Sequence, residues 1–206
     1  MRLFVGLGNP GSDYLSNRHN LGFVAVNALA DRYNVSSWRS KFQGLIAEGR
    51  LGNNKVTFFK PMTFMNESGR AVKELITFYK TDLDNVLVFF DEIELAPGKI
   101  RVKKSGGHAG HNGIRSLISH IGGDFWRVRM GVGHPGKKDL VSGYVLQDFT
   151  KSDSKWVDAL VNATVDAAPL LIEGDHNRFM TNVARDMASI ETPLSPRDAL
   201  KQRDND

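Results

Sequence analysis

The residues of this chain that could do chemistry are a polar set placed where strands run out or helices begin. Asn9 follows the apolar run Arg2–Leu7, His19 precedes a helical pattern, and Asn66 lies in Phe64-Met65-Asn66. Asp91 ends the apolar run Val86–Phe90, and His111-Asn112 opens a further helical pattern. These are proton-transfer and hydrogen-bonding types, suited to acid–base work and to holding a polar substrate. In an open α/β sheet, sites assemble at the carboxyl ends of strands and in the loops that follow. Each residue alone has a plainer reading. An asparagine near a helix start is commonly a cap or turn residue, and a lone histidine is commonly structural.

Other chemistries find less support. There is no cysteine, which excludes disulfides, thiolate zinc sites, iron–sulfur clusters and cysteine nucleophiles. Neither GxSxG nor HExxH occurs, so a nucleophile-elbow hydrolase and a zincin are unsupported. His108 and His111, spaced i, i+3 among glycines, could ligate a metal with Asp91, but no fixed ligand spacing supports this, and no cofactor is expected. Gly6-Leu7-Gly8-Asn9-Pro10-Gly11 matches the GxGxxG of dinucleotide binders. However, Pro10 and residues 12–17 delay the helix that should open there, and the next strands read as a hairpin. Gly131-Val132-Gly133-His134-Pro135-Gly136-Lys137-Lys138 resembles a P-loop, but Lys138 replaces the Ser/Thr that holds magnesium, and 141–146 reads as extended.

The elements that must position the polar set alternate between strand and helix. Arg2–Leu7 reads as a buried strand. Leu21, Val24, Ala25, Ala28 and Leu29 mark one face of a helix, and Val72, Leu75, Ile76 and Tyr79 another. Phe42–Arg50 and Lys55–Lys60 flank Gly52-Asn53-Asn54 as a hairpin, and Val86–Phe90 is an apolar strand. Lys99–Lys103 alternates, burying Ile100 and Val102 on one face and presenting three cations on the other. A third helix carries Ile114, Leu117, Ile118 and Ile121, followed by a strand at Arg127–Val132. Two helices at 152–171 and 176–190 complete the core, with Pro169 expected to kink or end the first. The expected fold is α/β, a single domain over residues 1–190 with a mixed twisted β-sheet flanked by helices on both faces. Residues 191–206 are expected to fray as a polar tail.

At 206 residues and 41% hydrophobic, the chain can close one real core, and wholesale disorder is excluded. No apolar run approaches the ~20 residues of a membrane helix. Met1-Arg2 leads into a strand-like run rather than a signal peptide, so a cytoplasmic setting is expected. Charge is unevenly placed. Residues 99–138 hold nine Lys/Arg and one acid, hence +8, whereas the whole chain is +4 and the remainder therefore −4. Such a patch suits a phosphate-rich partner, although a solvated basic face is a common alternative.

The motifs also occur in an order that resembles a known family. Gly6–Gly11, Tyr14 and Arg18-His19-Asn20-Leu21-Gly22 are followed by Lys60-Pro61-Met62-Thr63-Phe64-Met65-Asn66-Glu67-Ser68-Gly69. Asp91-Glu92, Gly106-Gly107-His108-Ala109-Gly110-His111-Asn112-Gly113 and Arg129-Met130-Gly131-Val132-Gly133-His134-Pro135 then come in sequence. This set, spread over about residues 1–190, resembles bacterial-type peptidyl-tRNA hydrolase. The resemblance implies a single-domain monomer that cleaves the ester between a peptide and the 3′ ribose of tRNA without a metal, recycling tRNA from stalled translation. It implies His19 as general base on water, Asp91 as its carboxylate partner, and Asn9, Asn66 and Asn112 as amides holding the peptide and the tRNA terminus. Asn9 is the family position that separates blocked from free aminoacyl ends. Tyr14 and Phe64 match residues near the terminal nucleotide, Met65 and His111 match wall and supporting residues, and Lys103 and Arg129 match a pair used on tRNA phosphate. Ser105 departs from the pattern where many relatives carry glycine, and Glu94 where aspartate is usual. A competing reading keeps the fold as a non-catalytic RNA-binding protein, and a third is a nucleotide-binding oxidoreductase.

Overall fold

The computed structural model describes residues 2–33 and 35–203. Alternation along β1 (Arg2–Gly6) sends successive side chains to opposite sheet faces. Phe4 enters a core on one side, and Leu3 and Val5 enter a second core on the other. This strand sits in the middle of a seven-stranded sheet completed by β2 (Arg39–Lys41), β3 (Gly44–Leu51), β4 (Asn54–Pro61), β5 (Val86–Glu92), β6 (Ile100–Lys104) and β7 (Trp126–Gly131). The spatial order is β2-β3-β4-β1-β5-β7-β6. β1 runs parallel to β4 and β5, and β5 parallel to β7, whereas β2, β3 and β6 pair antiparallel with their neighbours. The mixed sheet and the 44–51/54–61 hairpin agree with the sequence reading.

The first core packs α1 (Leu21–Arg32), α5 (Lys151–Glu173) and α6 (His176–Asp186) on one face. The second packs α2 (Ser68–Tyr79) and α3 (Asn112–Ile121) on the opposite face. α1 approaches the sheet very closely at Gly22, where a Cβ would stand 2.2 Å from the Phe89 carbonyl oxygen and 2.6 Å from the Leu7 nitrogen. Only glycine fits there, and the turn ending at Asn20 is thereby pressed onto the carboxyl ends of β1 and β5.

Three expectations are corrected. Pro169 does not end α5, which continues to Glu173. The carbonyl its missing N–H leaves free, on Val165, accepts a hydrogen bond from the Tyr33 hydroxyl at 2.9 Å. Residues 141–146 are not extended. A five-residue helix, α4 (Val141–Val145), forms there, so the P-loop comparison fails on Lys138 and not on an absent helix. The C-terminal tail does not simply fray, because α7 (Pro196–Arg203) follows a buried Ser195. Pro196 occupies the first helical position, where its missing N–H costs nothing, and the Ser195 hydroxyl accepts from Asp198 N at 3.2 Å. The end of the expected tail, residues 204–206, lies outside the described residues.

Candidate active site

His19 lies in a single 3-10 turn, residues 18–20, immediately before α1. Three anchors hold this turn. The neighbouring Arg18 is buried and donates to the carbonyls of Gln147 and Asp148 and to the Asp153 carboxylate. Asn17 forms a bridge with Asp148, and its amide donates to that carboxylate at 2.7 Å. Asn20 turns inward, accepting from the Asn9 backbone N–H at 2.8 Å and donating to the Asn9 carbonyl at 2.9 Å. Nothing in the sequence beyond its place in Arg18-His19-Asn20 marks Asn20 as the residue that fixes Asn9.

The carboxyl end of β5 delivers Asp91, 2% exposed, beneath two imidazoles. His19 Nδ1 lies 2.9 and 3.0 Å from its two carboxylate oxygens, and His111 Nε2 lies 3.1 Å from Oδ1. The tautomers follow from the partners. His111 caps α3, with its Nδ1 accepting from the backbone N–H groups of Gly113 and Ile114 at 3.1 and 3.2 Å. Its proton therefore resides on Nε2 and is donated to Asp91. His19 likewise donates Nδ1–H to the carboxylate, which leaves Nε2 with a free lone pair. Among the described residues no group hydrogen-bonds His19 Nε2.

Electrostatics follow from the same geometry. Burial opposes a charge on His19, but the Asp91 carboxylate outweighs it by charge and hydrogen bond, and the imidazole pKa is raised. Burial also opposes charge on Asp91, yet the two histidines overcome it and hold the carboxyl well below the ordinary carboxylate range. Donor atoms of His19, Asp91 and His111 all lie within 4.8 Å of one another, so a cation could be held only if both ring N–H protons facing Asp91 were given up. His108, weighed beside His111 as a metal ligand, is not in this cluster; its Nδ1 accepts from Gly110 N at 3.0 Å.

The amides are placed unequally. Asn9 is buried, and its Oδ1 accepts from Met65 N at 2.8 Å. Its Nδ2 has no partner among the described residues and remains available as a donor. Asn66 and Asn112 are exposed, one in the turn 65–67 and the other at the start of α3. These elements touch: the Met65 sulfur packs on Gly113, where a Cβ would come within 2.5 Å of it. Tyr14 and Phe64 meet edge to face, with ring centroids 6.5 Å apart. Met65, the two asparagines and the aromatic pair thus belong to one neighbourhood.

A basic cavity of about 360 Å³ opens beside the end of β5, lined in part by Phe90, Glu92, Lys103, His108, Arg127 and Arg129. Lys103 stands directly across the ladder from Arg127, and Arg129 shares that face. Arg129 Nε donates to the buried Glu92 carboxylate at 2.9 Å. Arg127, 3% exposed, has no carboxylate; its guanidinium donates to the carbonyls of Gly106, Gly107 and Gly123. In the sequence Arg127 reads only as a basic residue at the start of a strand, whereas in the structure it holds the loop that leads to His111. The two departures also have local accounts. Ser105 adopts a left-handed backbone (φ +61) with its hydroxyl donating to Asp124 at 2.7 Å. Glu94 accepts from Arg197 of α7 at 2.8 Å.

Known proteins resemble this chain in sequence and in fold. Residues 3–191 match the family described as peptidyl-tRNA hydrolase. A peptidyl-tRNA hydrolase from Dinoroseobacter shibae is 55% identical over 184 residues, covering 89% of this chain and 78% of that protein. One from a Methylobacterium species is 55% identical over 183 residues, covering 89% and 90%. The crystal structure of peptidyl-tRNA hydrolase from Acinetobacter baumannii superposes with a TM-score of 0.84 at 37% identity, covering 95% of this chain and 96% of that one. With its buried histidine–aspartate contact, its amide-lined turns and this match over nearly all of its length, the chain belongs to the peptidyl-tRNA hydrolase family.

Proposed function

We propose that this protein hydrolyses the ester joining a peptide, or an N-blocked aminoacyl group, to the 3′ ribose of tRNA. The observation that carries the reading is the His19–Asp91 contact, which leaves His19 Nε2 as an open base. His19 Nε2 takes a proton from water while the water oxygen attacks the ester carbonyl carbon. Asp91 holds the ring in the required tautomer and stabilises the imidazolium. His111 donates its own Nε2–H to the same carboxylate and restrains it. Asn9 Nδ2, its oxygen already committed to Met65 N, donates to the carbonyl oxygen as negative charge develops. Collapse of the tetrahedral intermediate breaks the bond to the 3′ oxygen, which receives the proton from His19. The products are a peptide carboxylate and tRNA with a free 3′ hydroxyl. The protons on His19 Nδ1 and His111 Nε2 already satisfy Asp91, and the reaction needs no metal.

Asn66 and Asn112 hold the peptide and the tRNA terminus. Tyr14 and Phe64 offer rings to the terminal base, with Met65 as a wall. Lys103 and Arg129 contact tRNA phosphate, which positions without reading sequence and suits an enzyme that accepts every tRNA. The protein acts as a monomer in the cytoplasm, in recycling tRNA from stalled translation. No helix among the described residues is long and apolar enough to cross a membrane. The test is release of the acyl group from N-acetyl-aminoacyl-tRNA, with free aminoacyl-tRNA as control. Hydrolysis of the blocked substrate alone is expected; tight tRNA binding without turnover would mean that the fold serves only to bind RNA.

A further inference from the structure

The C-terminal segment, which no motif of the sequence links to the site, closes on the two loops that lead away from β5 and β7. Those loops are first tied to each other: Val132 N donates to the Glu92 carbonyl at 3.1 Å, and Gly133 N to the Leu95 carbonyl at 2.9 Å. Ser195, 1% exposed, packs tightly on the pair, so that a Cβ added to Gly133 would stand 2.6 Å from the Ser195 Cβ. Arg197 N donates to the His134 carbonyl at 3.0 Å, which fixes the start of α7 on the second loop. By these contacts the tail reaches the chain just beyond Glu92, a residue that lines the basic cavity.

Charge gives the arrangement its meaning. Glu92, whose Oε2 accepts from Arg129 Nε, uses Oε1 to accept from the Glu94 N–H at 3.0 Å. Glu94 is thereby held two residues from the carboxylate that orients Arg129, and its own side chain is half-exposed. Arg197 Nη1 donates to the Glu94 Oε2 at 2.8 Å, and His134 Nε2 stands 3.9 Å from Oε1. Among the described residues no other side chain hydrogen-bonds this carboxylate. The Arg197 Nε is buried without a partner, so Glu94 supplies the one hydrogen bond that places the guanidinium. The Arg197 hydrogen bond, followed by the charges of Arg197, His134 and Arg129, holds the Glu94 carboxyl below its ordinary value against desolvation. Glu94 therefore lies within the field of Arg129, and Arg197 is the cation that satisfies it.

We propose that Arg197 is a positioning residue for phosphate binding, acting through Glu94. Paired with Arg197, the Glu94 carboxylate is neutralised and held against α7. Left alone, it would be an uncompensated negative charge at the edge of the basic face, drawing Arg129 toward itself and opposing a tRNA phosphate. The inference rests on the reading that Lys103 and Arg129 contact tRNA phosphate. It gives the polar tail a role beyond stability, and it requires no contact between α7 and the RNA.

The test measures KM and kcat for N-acetyl-aminoacyl-tRNA, and Kd for deacylated tRNA, in Arg197→Gln, Arg197→Lys, Glu94→Gln and the double variant Arg197→Gln/Glu94→Gln. Arg32→Gln, which breaks an exposed ion pair elsewhere, controls for net charge. Arg197→Gln is expected to raise KM and Kd roughly three- to fivefold while kcat changes by less than about twofold, and the effect should shrink as salt is raised. Arg197→Lys keeps the charge and should stay near wild type, as should Glu94→Gln and Arg32→Gln. The double variant should return to the wild-type KM, because the carboxylate that did the harm is gone. A thermal melt of each variant checks that the fold survives. A double variant as impaired as Arg197→Gln would overturn the proposal, since Arg197 would then act structurally or touch phosphate itself. An unchanged KM in Arg197→Gln, or an equal rise in Arg32→Gln, would also overturn it while leaving the phosphate reading intact. A salt-independent KM in wild type would overturn it together with that reading. No hydrolysis of any blocked substrate would remove the hydrolase reading, and the order of Kd values would still decide the role of Arg197.

Discussion

His19, Asp91 and His111 form a chain of two imidazoles on one buried carboxylate, and the protonation of His19 sets how the protein responds to pH. In the proposed mechanism the working base is neutral His19, and its pKa is raised by Asp91 against the opposing effect of burial. Activity is therefore expected to rise with pH along a limb whose midpoint lies above the ordinary imidazole value of 6.5. The stability contributed by this shift has the opposite slope. It is fully present below 6.5 and is lost as pH rises through the folded-state value. Replacing Asp91 with asparagine removes the charge but keeps the burial, so the limb should move to lower pH. The rate at neutral pH should fall by roughly 10²–10⁴. A pH–rate profile of Asp91→Asn checks both, and an unmoved limb would show that the observed ionisation is not that of His19.

Elements bring these residues together through contacts of uneven visibility in the sequence. The helix at 21–32 and the alternating strand at 100–104 are legible because their apolar periods are plain: Ile100 is buried while Arg101 and Lys103 are exposed. The turns that carry His19, Asn9 and Asn66 are legible as loops, but their precise packing is not, since it depends on partners such as Asn20 and Gly113 that are distant or uninformative in sequence. The helix at 141–145 reads as extended because a short Val/Tyr/Val run around Gly143 has strand propensity. Tertiary bonds decide it: the Tyr144 hydroxyl donates to the Val132 carbonyl at 2.6 Å, and Arg18 stacks on the Tyr144 ring. Arg127 makes the same point for the loop before α3. Arg127→Met would leave the Gly106, Gly107 and Gly123 carbonyls without their donor and is expected to cost about 1.5–3 kcal/mol in a denaturant melt. It should also raise KM more than it lowers kcat, because the loop borders the Lys103 cavity. Arg127→Lys keeps the charge, loses the fork and should fall between.

At the scale of the whole molecule, the uneven charge separates a basic face from a chain whose remaining residues sum to −4. Raising salt should weaken substrate binding, and Lys103→Ala should raise KM and flatten that dependence. Lys103 is the cleaner probe, since Arg129→Ala also strands the buried Glu92 carboxylate. A salt-independent KM would remove the phosphate reading. The tail belongs to the molecule as well: Arg197 pairs with Glu94 and Ser195 is buried, so truncation after Ile190 should lower the melting temperature. An unchanged melt would show that α7 adds nothing to stability. The central claim is that His19 activates water without a metal. Its most direct test is hydrolysis of N-acetyl-aminoacyl-tRNA in EDTA by the wild type and His19→Ala. Full wild-type activity in EDTA, with loss of roughly 10²-fold or more in the variant, is the predicted result. Activity abolished by EDTA, or retained by His19→Ala, would contradict it.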